Sequence, residues 1–175
     1  ISVNLSLKQL RQQKFLERVR TVFKLHGVSP TCLELEITET TLMDDADRTI
    51  KILDALYGMG LHLAIDDFGT GYSSLSALQQ FPISTLKIDK SFVRDVATDK
   101  DDATIVATII KMARSLKMDV VAEGVESQEQ LEFLRAHKCD YVQGHLFGDP
   151  MNAEGLLELL SEQEEGSNKY RTLFG

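Results

Sequence analysis

Six short runs of apolar residues recur along the chain, and between them the apolar positions fall at helical spacing. Leu33-Glu34-Leu35-Glu36-Ile37-Thr38 alternates strictly, so Leu33, Leu35 and Ile37 share one face of a strand and Glu34, Glu36 and Thr38 the other. Thr85-Leu86-Lys87-Ile88-Asp89 alternates again, with Lys87 set between two apolar neighbours. Ile1 to Leu5, Leu61 to Asp67, Asp119 to Glu123 and Tyr141 to Leu146 read as the remaining strands.

The intervening stretches predict helices. Ser6 and Gln9 form a capping box for a helix with Phe15, Val19, Val22 and Phe23 on one face, stopped by Gly27, Ser29 and Pro30. Asp44 and Asp45 start a second, with the stripe Ile50, Leu53, Leu56 and Tyr57, ended by Gly58 and Gly60. A short helix over about 75–80 is broken by Pro82. Asp101 and Asp102 open a long helix carrying Ile105, Val106, Ile109, Ile110 and Ala113. Ser127 and Gln130 make another capping box ahead of Leu131 and Leu134, and Asn152 caps a last helix with Leu156, Leu157 and Leu160. Strand and helix alternate about six times at spacings suited to parallel crossovers, which predicts an α/β domain. The domain is expected over residues 1–160, with the polar, acidic residues 161–175 as a solvated tail in which Tyr170 to Phe174 dock back.

Composition narrows the class. The chain has 175 residues, 43% hydrophobic and 26% charged, as for one soluble domain with a real core. No apolar run is long enough to cross a bilayer and no basic, apolar leader is seen, so a cytoplasmic setting is expected. A formal net charge of -8 without a basic stripe argues against duplex nucleic acid as partner. Cys32 and Cys139 have no CxxC spacing, and His26, His62, His137 and His145 form no HExxH or close pair, so a histidine-based zinc site is not expected.

Chemistry gathers at the strand ends. Asn4, Glu36, Asp66, Asp67, Lys87, Glu123 and Gln143 all lie near C-terminal ends of strands, the edge at which parallel barrels build active sites. Spread over six strands they fit a ring better than the single crevice of a doubly wound sheet. Carboxylate and amide oxygens suit hard cations such as magnesium or manganese, and vicinal Asp66 and Asp67 could serve two ions. Each residue also has a plain structural reading. Asp66-Asp67 could be a helix cap or turn, Glu36 a solvated strand face, and Lys87 an ion-pair partner or a Schiff-base lysine. Glu123 could cap the turn at Gly124, Glu39 could merely close its strand, and Gln143 alone says little.

Several motifs in order resemble those of the EAL-domain phosphodiesterases. They are Val3-Asn4-Leu5-Ser6, Glu36-Ile37-Thr38-Glu39, Asp66-Asp67-Phe68-Gly69-Thr70-Gly71-Tyr72-Ser73-Ser74, Leu86-Lys87-Ile88-Asp89, Ala122-Glu123-Gly124-Val125-Glu126 and Gln143-Gly144. The resemblance implies a modified TIM (β/α)8-type barrel that hydrolyses cyclic di-GMP to linear pGpG with two Mg2+ or Mn2+ ions. It implies that Asn4, Glu36 and Asp66 hold one ion, and that Asp66 bridges to a second held also by Asp67 and Glu123. Lys87 would position the attacking water and Gln143 support the site, with Glu126 and Pro150 facing the guanine. Glu39 would anchor the loop from Phe68 to Ser74, which in the family couples the site to a homodimer interface.

The family's Glu-Ala-Leu stretch, whose Glu is a metal ligand, is not in this sequence and is expected upstream of it with two further strands. About six of the eight strands are therefore expected here, in a parent protein that carries sensor or cyclase domains and in which a membrane anchor is an open alternative. Impaired turnover is expected of the chain as written. His145 stands where an aromatic residue such as Tyr is common in the family. A non-catalytic cyclic di-GMP receptor or dimerisation module is the alternative, and a barrel lyase using Lys87 as a Schiff base a third reading.

Overall fold

The structure is a computed structural model that describes residues 1–43, 45–71 and 75–164. The predicted alternation is present. Strands β1 (Ser2–Asn4), β2 (Glu34–Thr38), β3 (His62–Phe68), β4 (Thr85–Ile88), β5 (Asp119–Glu123) and β6 (Tyr141–Gln143) form one sheet in the order β1-β2-β3-β4-β5-β6. Every neighbouring pair is parallel. Strand order never reverses, so the sheet has no topological switch point, and all its βα loops open on one edge as in a barrel.

Helices α1 (Leu7–Leu10), α2 (Phe15–His26), α3 (Glu39–Met43), α4 (Ala46–Tyr57), α5 (Leu75–Leu78), α6 (Lys90–Arg94), α7 (Lys100–Ser115), α8 (Gln128–Ala136) and α9 (Ala153–Glu164) connect and follow the strands. Leu35, Ile37, Leu63, Ile65, Leu86, Ile88 and Val120 form the core with Leu53 and Leu56 of α4, Val106 and Ile110 of α7 and Leu131 and Leu134 of α8. Fully burying one such side chain is worth about 1.5–3 kcal/mol, so this layer supplies the main driving force for folding. It also frees the opposite face of the sheet for polar side chains.

The helices depart from expectation where caps and burial differ from the pattern. The Ser6–Gln9 box is formed, but it sustains only α1, because the polar run Arg11 to Lys14 offers nothing to bury and Phe15 starts α2 afresh. Val22 is exposed while Phe15, Val19 and Phe23 are partly buried, so the apolar face of α2 is narrower than its spacing suggests. Asp99, rather than Asp101 or Asp102, caps α7 and accepts both of their amides. Asp45 occupies the cap position of α4 in a left-handed conformation without a side-chain cap, and its expected partner Asp44 lies outside the described residues. Asn152 Oδ1 does accept the Gly155 amide at 2.9 Å, and Leu156, Leu157 and Leu160 of α9 are exposed. That helix continues to Glu164, into residues read as tail; residues 165–175, with the docking segment Tyr170 to Phe174, lie outside the described residues. Among the described residues no helix is long and apolar enough to cross a membrane.

Candidate active site

The site begins with an irregularity in β3. Ile65 pairs with Leu86 and Phe68 with Ile88, so the two residues Asp66 and Asp67 stand opposite the single residue Lys87. This is a β-bulge, which bends a strand and re-aims a side chain. Asp67 accommodates the extra residue with φ of 53°, a left-handed conformation that Asp tolerates better than most residues. In a regular strand adjacent side chains point to opposite faces. Here one ligand oxygen from each of Asp66, Asp67 and Glu123 lies within 4.8 Å of the others.

Lys87 occupies the centre of this edge. Its Nζ lies 2.7 Å from Glu36 Oε1, 2.7 Å from Glu123 Oε1 and 3.2 Å from Asp66 Oδ1, with the side chain only 7% exposed. Burial pushes the ammonium toward deprotonation, but hydrogen bonds to Glu123 and Glu36 outweigh it and raise the pKa above the ordinary lysine value. Lys87 is therefore a held cation, and the neutral amine that a Schiff base needs is disfavoured. At full ionisation one ammonium faces the four carboxylates of Glu36, Asp66, Asp67 and Glu123, leaving a local excess of negative charge. Glu123 responds with a raised pKa, caused first by burial. Asp67 is raised as well, by burial and then by the charges of Asp66 and Asp89.

Asp89, the last residue of the alternating run Thr85 to Asp89, also belongs to this edge. It lies two residues after Lys87, a spacing that could have placed it on the same face. It caps α6 by accepting the Ser91 amide at 2.9 Å and also bonds the Asp67 carboxyl. Burial pushes its pKa up, but bonds from the Ser91 hydroxyl and amide and from Asp67 reverse this and leave it low. A second unforeseen set lies one layer lower, where Glu34 accepts from Ser2 Oγ at 2.9 Å and from Thr85 Oγ1 at 2.8 Å. Ala64 of β3 pairs with Thr85, and its small side chain leaves the passage between β2 and β4 open.

Glu39 is buried at the start of α3 and is not part of the acidic cluster. Its Oε2 accepts the Gly69 amide at 3.2 Å and the Gly71 amide at 3.0 Å, tying α3 to the loop after β3. A Cβ at Gly71 would stand 2.7 Å from Glu39 Cδ, so the close approach needs glycine. Tyr72, Ser73 and Ser74 of the same predicted stretch lie outside the described residues.

The other expected site residues sit around the cluster. Asn4 pairs in register with Glu36, and Gln143 with Glu123, which puts both at the level of the site on the first and last strands. Both are exposed, as is Pro150. Glu126 lies 3.7 Å from His145 Nδ1 on an open part of the rim.

The donor set suits hard divalent cations: its ligand atoms are carboxylate oxygens, and they converge within a few ångströms. Asp66 Oδ1 fits the same reading: among the described residues it is buried without a hydrogen-bond partner, with a 3.2 Å ion pair to Lys87. A parallel sheet with an acidic centre at the C-terminal ends of its strands defines the class. Residues 1–150 match the EAL domain, and the chain belongs to that family. It is 48% identical over 157 residues to the bifunctional diguanylate cyclase/cyclic di-GMP phosphodiesterase MucR of Pseudomonas aeruginosa, covering 90% of this chain and 23% of that protein. It is 43% identical over 160 residues to the cyclic di-GMP phosphodiesterase NbdA of the same species, covering 91% of this chain and 20% of that one. A solved structure described as PaMucR phosphodiesterase in complex with c-di-GMP superposes with a TM-score of 0.86 at 47% identity, over 89% of this chain and 63% of that one. The manganese/cy-diGMP complex of Klebsiella pneumoniae BlrP1 superposes at 0.78 with 34% identity, over 85% and 38% of the two chains. The chain thus spans about a quarter or less of its curated relatives. The expected fold is borne out: the six strands are part of a modified TIM barrel.

Proposed function

We propose that this domain is a metal-dependent phosphodiesterase that hydrolyses cyclic di-GMP to linear pGpG in bacterial second-messenger signalling. The observation that carries the reading is the convergence of Asp66, Asp67 and Glu123 within 4.8 Å, beside a buried Lys87, in a chain of the EAL family. The names of MucR and NbdA and the c-di-GMP and manganese complexes of the neighbours support the substrate and the metal.

Asn4, Glu36 and Asp66 would hold one Mg2+ or Mn2+ ion, and Asp66, Asp67 and Glu123 the second. When bound, such ions supply Lewis acidity that polarises a phosphodiester and acidifies water. Lys87, held as a cation, orients the attacking water and screens charge that develops on the phosphate. Glu36 and Glu123 fix the Lys87 ammonium so that it acts as a donor and does not take up a proton. Gln143, Glu126 and Pro150 line the rim on which the nucleotide would lie. Glu39 keeps the Gly69–Gly71 backbone in place, and the loop it anchors is the proposed route to a homodimer partner. The greater length of the relatives, one of them named also as a cyclase, supports a parent protein with further domains, such as a cyclase, beside this one.

The test is titration of the 175-residue chain with cyclic di-GMP, with and without Mn2+, while pGpG is followed. Metal-dependent turnover is expected, slow in this chain and faster in the parent protein. Binding without turnover would select the receptor reading, and absence of both would overturn the assignment.

A further inference from the structure

The turn from Glu123 to Glu126 carries one residue of the acidic centre and one of the rim. Ser127 and Gln130 behind it form the capping box expected from sequence, with Ser127 Oγ accepting the Gln130 amide at 3.3 Å and Gln130 Oε1 accepting the Ser127 amide at 2.9 Å. Two further bonds are not needed for a cap. The same Oε1 accepts the Glu126 amide at 2.7 Å. The Nε2 donates at 2.9 Å to the carbonyl of Arg94, the last residue of α6. Gln130 is buried, and among the described residues its amide group bonds backbone atoms, joining two segments 36 residues apart.

Helix α6 also touches the turn at its other end. A Cβ at Gly124, where φ is +71°, would stand 2.6 Å from Lys90 Cβ. From the opposite side Gly144 packs so closely on the Val125 backbone that no Cβ fits. The turn is thus gripped between α6, the start of α8 and the end of β6. Helix α6 is itself fixed to β4 by its cap Asp89, two residues after Lys87.

We propose that Gln130 is a positioning residue for the acidic centre: it locks the Glu123–Glu126 turn to α6, so that the ends of β4 and β5 keep Lys87 and Glu123 in contact. The functional part of this inference rests on the phosphodiesterase reading. A capping glutamine needs only its oxygen, whereas the lock needs the nitrogen as well.

The experiment compares Ser127→Ala, Gln130→Glu and Gln130→Leu in the 175-residue chain. Ser127→Ala removes the hydroxyl cap alone. Gln130→Glu keeps both acceptor bonds and sets a carboxylate oxygen against the Arg94 carbonyl. Gln130→Leu removes all three bonds. Thermal unfolding, Mn2+ affinity, cyclic di-GMP turnover, and amide exchange at Glu126 relative to Leu86 are measured. Turnover of Ser127→Ala is expected to stay within about twofold of the parent, while Gln130→Glu and Gln130→Leu lose about tenfold or more in kcat and bind Mn2+ more weakly. In Gln130→Leu the Glu126 amide exchanges about tenfold faster relative to Leu86. If both Gln130 variants track Ser127→Ala in turnover and Mn2+ affinity at matched stability, Gln130 is a cap only and the proposal falls. If the parent chain neither binds Mn2+ nor turns over cyclic di-GMP, the phosphodiesterase reading fails separately. The exchange ratio then decides the lock alone: a tenfold rise supports it, and an unchanged ratio overturns it.

Discussion

Lys87 Nζ and Glu123 Oε1, from adjacent strands, meet at 2.7 Å, and the same nitrogen reaches Glu36 on β2 at 2.7 Å across the intervening strand. With its 3.2 Å contact to Asp66 on β3, one ammonium therefore ties together four consecutive strands of the sheet. In the metal-free protein it is also the group that keeps the carboxylates from repelling one another.

Replacing it should be costly in two ways. Lys87→Met is expected to lower metal-free stability by about 3–5 kcal/mol, because buried carboxylates are left without a counter-charge. Turnover should fall about a hundredfold or more with the loss of a preorganised cation. Added Mn2+ should raise the melting temperature of the variant by more than that of the parent, since the ion then supplies the missing positive charge. Calorimetry with and without Mn2+ checks this, and an equal metal-induced shift in both proteins would contradict it.

Asp66→Asn keeps the shape of the side chain and removes the charge that faces Lys87. The expected result is loss of Mn2+ affinity and about a hundredfold or greater loss of turnover, with little loss of metal-free stability. A loss in turnover below about tenfold would remove Asp66 from the centre of the mechanism.

The acid side of the pH profile should carry opposite signs for stability and for metal binding. Glu123 and Asp67 have pKa values raised in the folded chain, burial being the first cause for each. Protons therefore bind the folded state more tightly than the unfolded one. The stabilisation this gives is fully present below the unfolded carboxylate pKa and is lost as pH rises through the folded value. Their contribution to metal-free stability should grow as pH falls toward the ordinary carboxylate range, while Mn2+ affinity falls because protons compete for the same oxygens. Glu123→Gln should weaken the pH dependence of the metal-free melting temperature. An unchanged profile in that variant and in Asp67→Asn would refute the assignment.

Gly71→Ala places a methyl group 2.7 Å from Glu39 Cδ and must displace the loop or the carboxylate. Release of the Gly69 and Gly71 amides from Glu39 is expected to speed protease cleavage in the loop after β3, with the core strands still protected. Glu39→Gln should act in the same direction but more weakly, since it keeps an acceptor and loses the charge that strengthens these bonds. Limited proteolysis read by mass spectrometry gives the answer, and equal cleavage in all three proteins would count against the anchor.

Much of this was legible in the sequence because strand period carries face. Strict alternation put Glu36 opposite Leu35 and Ile37, and the same rule set Lys87 apart from Leu86 and Ile88. The strand-end placement of acids across successive strands predicted their meeting. What the pattern did not carry was backbone irregularity and long-range hydrogen bonding. The bulge at Asp66-Asp67 leaves no compositional mark. Asp89 looked like the end of a strand because its cap partner Ser91 opens a helix too short to show periodicity. The break between α1 and α2 was hidden for a related reason: the polar run Arg11 to Lys14 after the Ser6–Gln9 box holds no Pro or Gly to mark a stop. Gln130 was visible as a cap, but its bond to Arg94 is tertiary and has no local signal.

The bulge makes the centre a matter of chain length as well as of residue type. One extra residue between Ile65 and Phe68 turns a neighbouring pair of aspartates into a converging pair, and it sets where Gly69 and Gly71 fall relative to Glu39. Shortening the chain by one residue here would let β3 pair regularly with β4, relieve the left-handed backbone at Asp67 and lessen the crowding of negative charge. The sheet would be mended and the proposed cation site dismantled by one event. Small insertions and deletions at this point thus reach both properties together, in a way that no exchange of one side chain for another can.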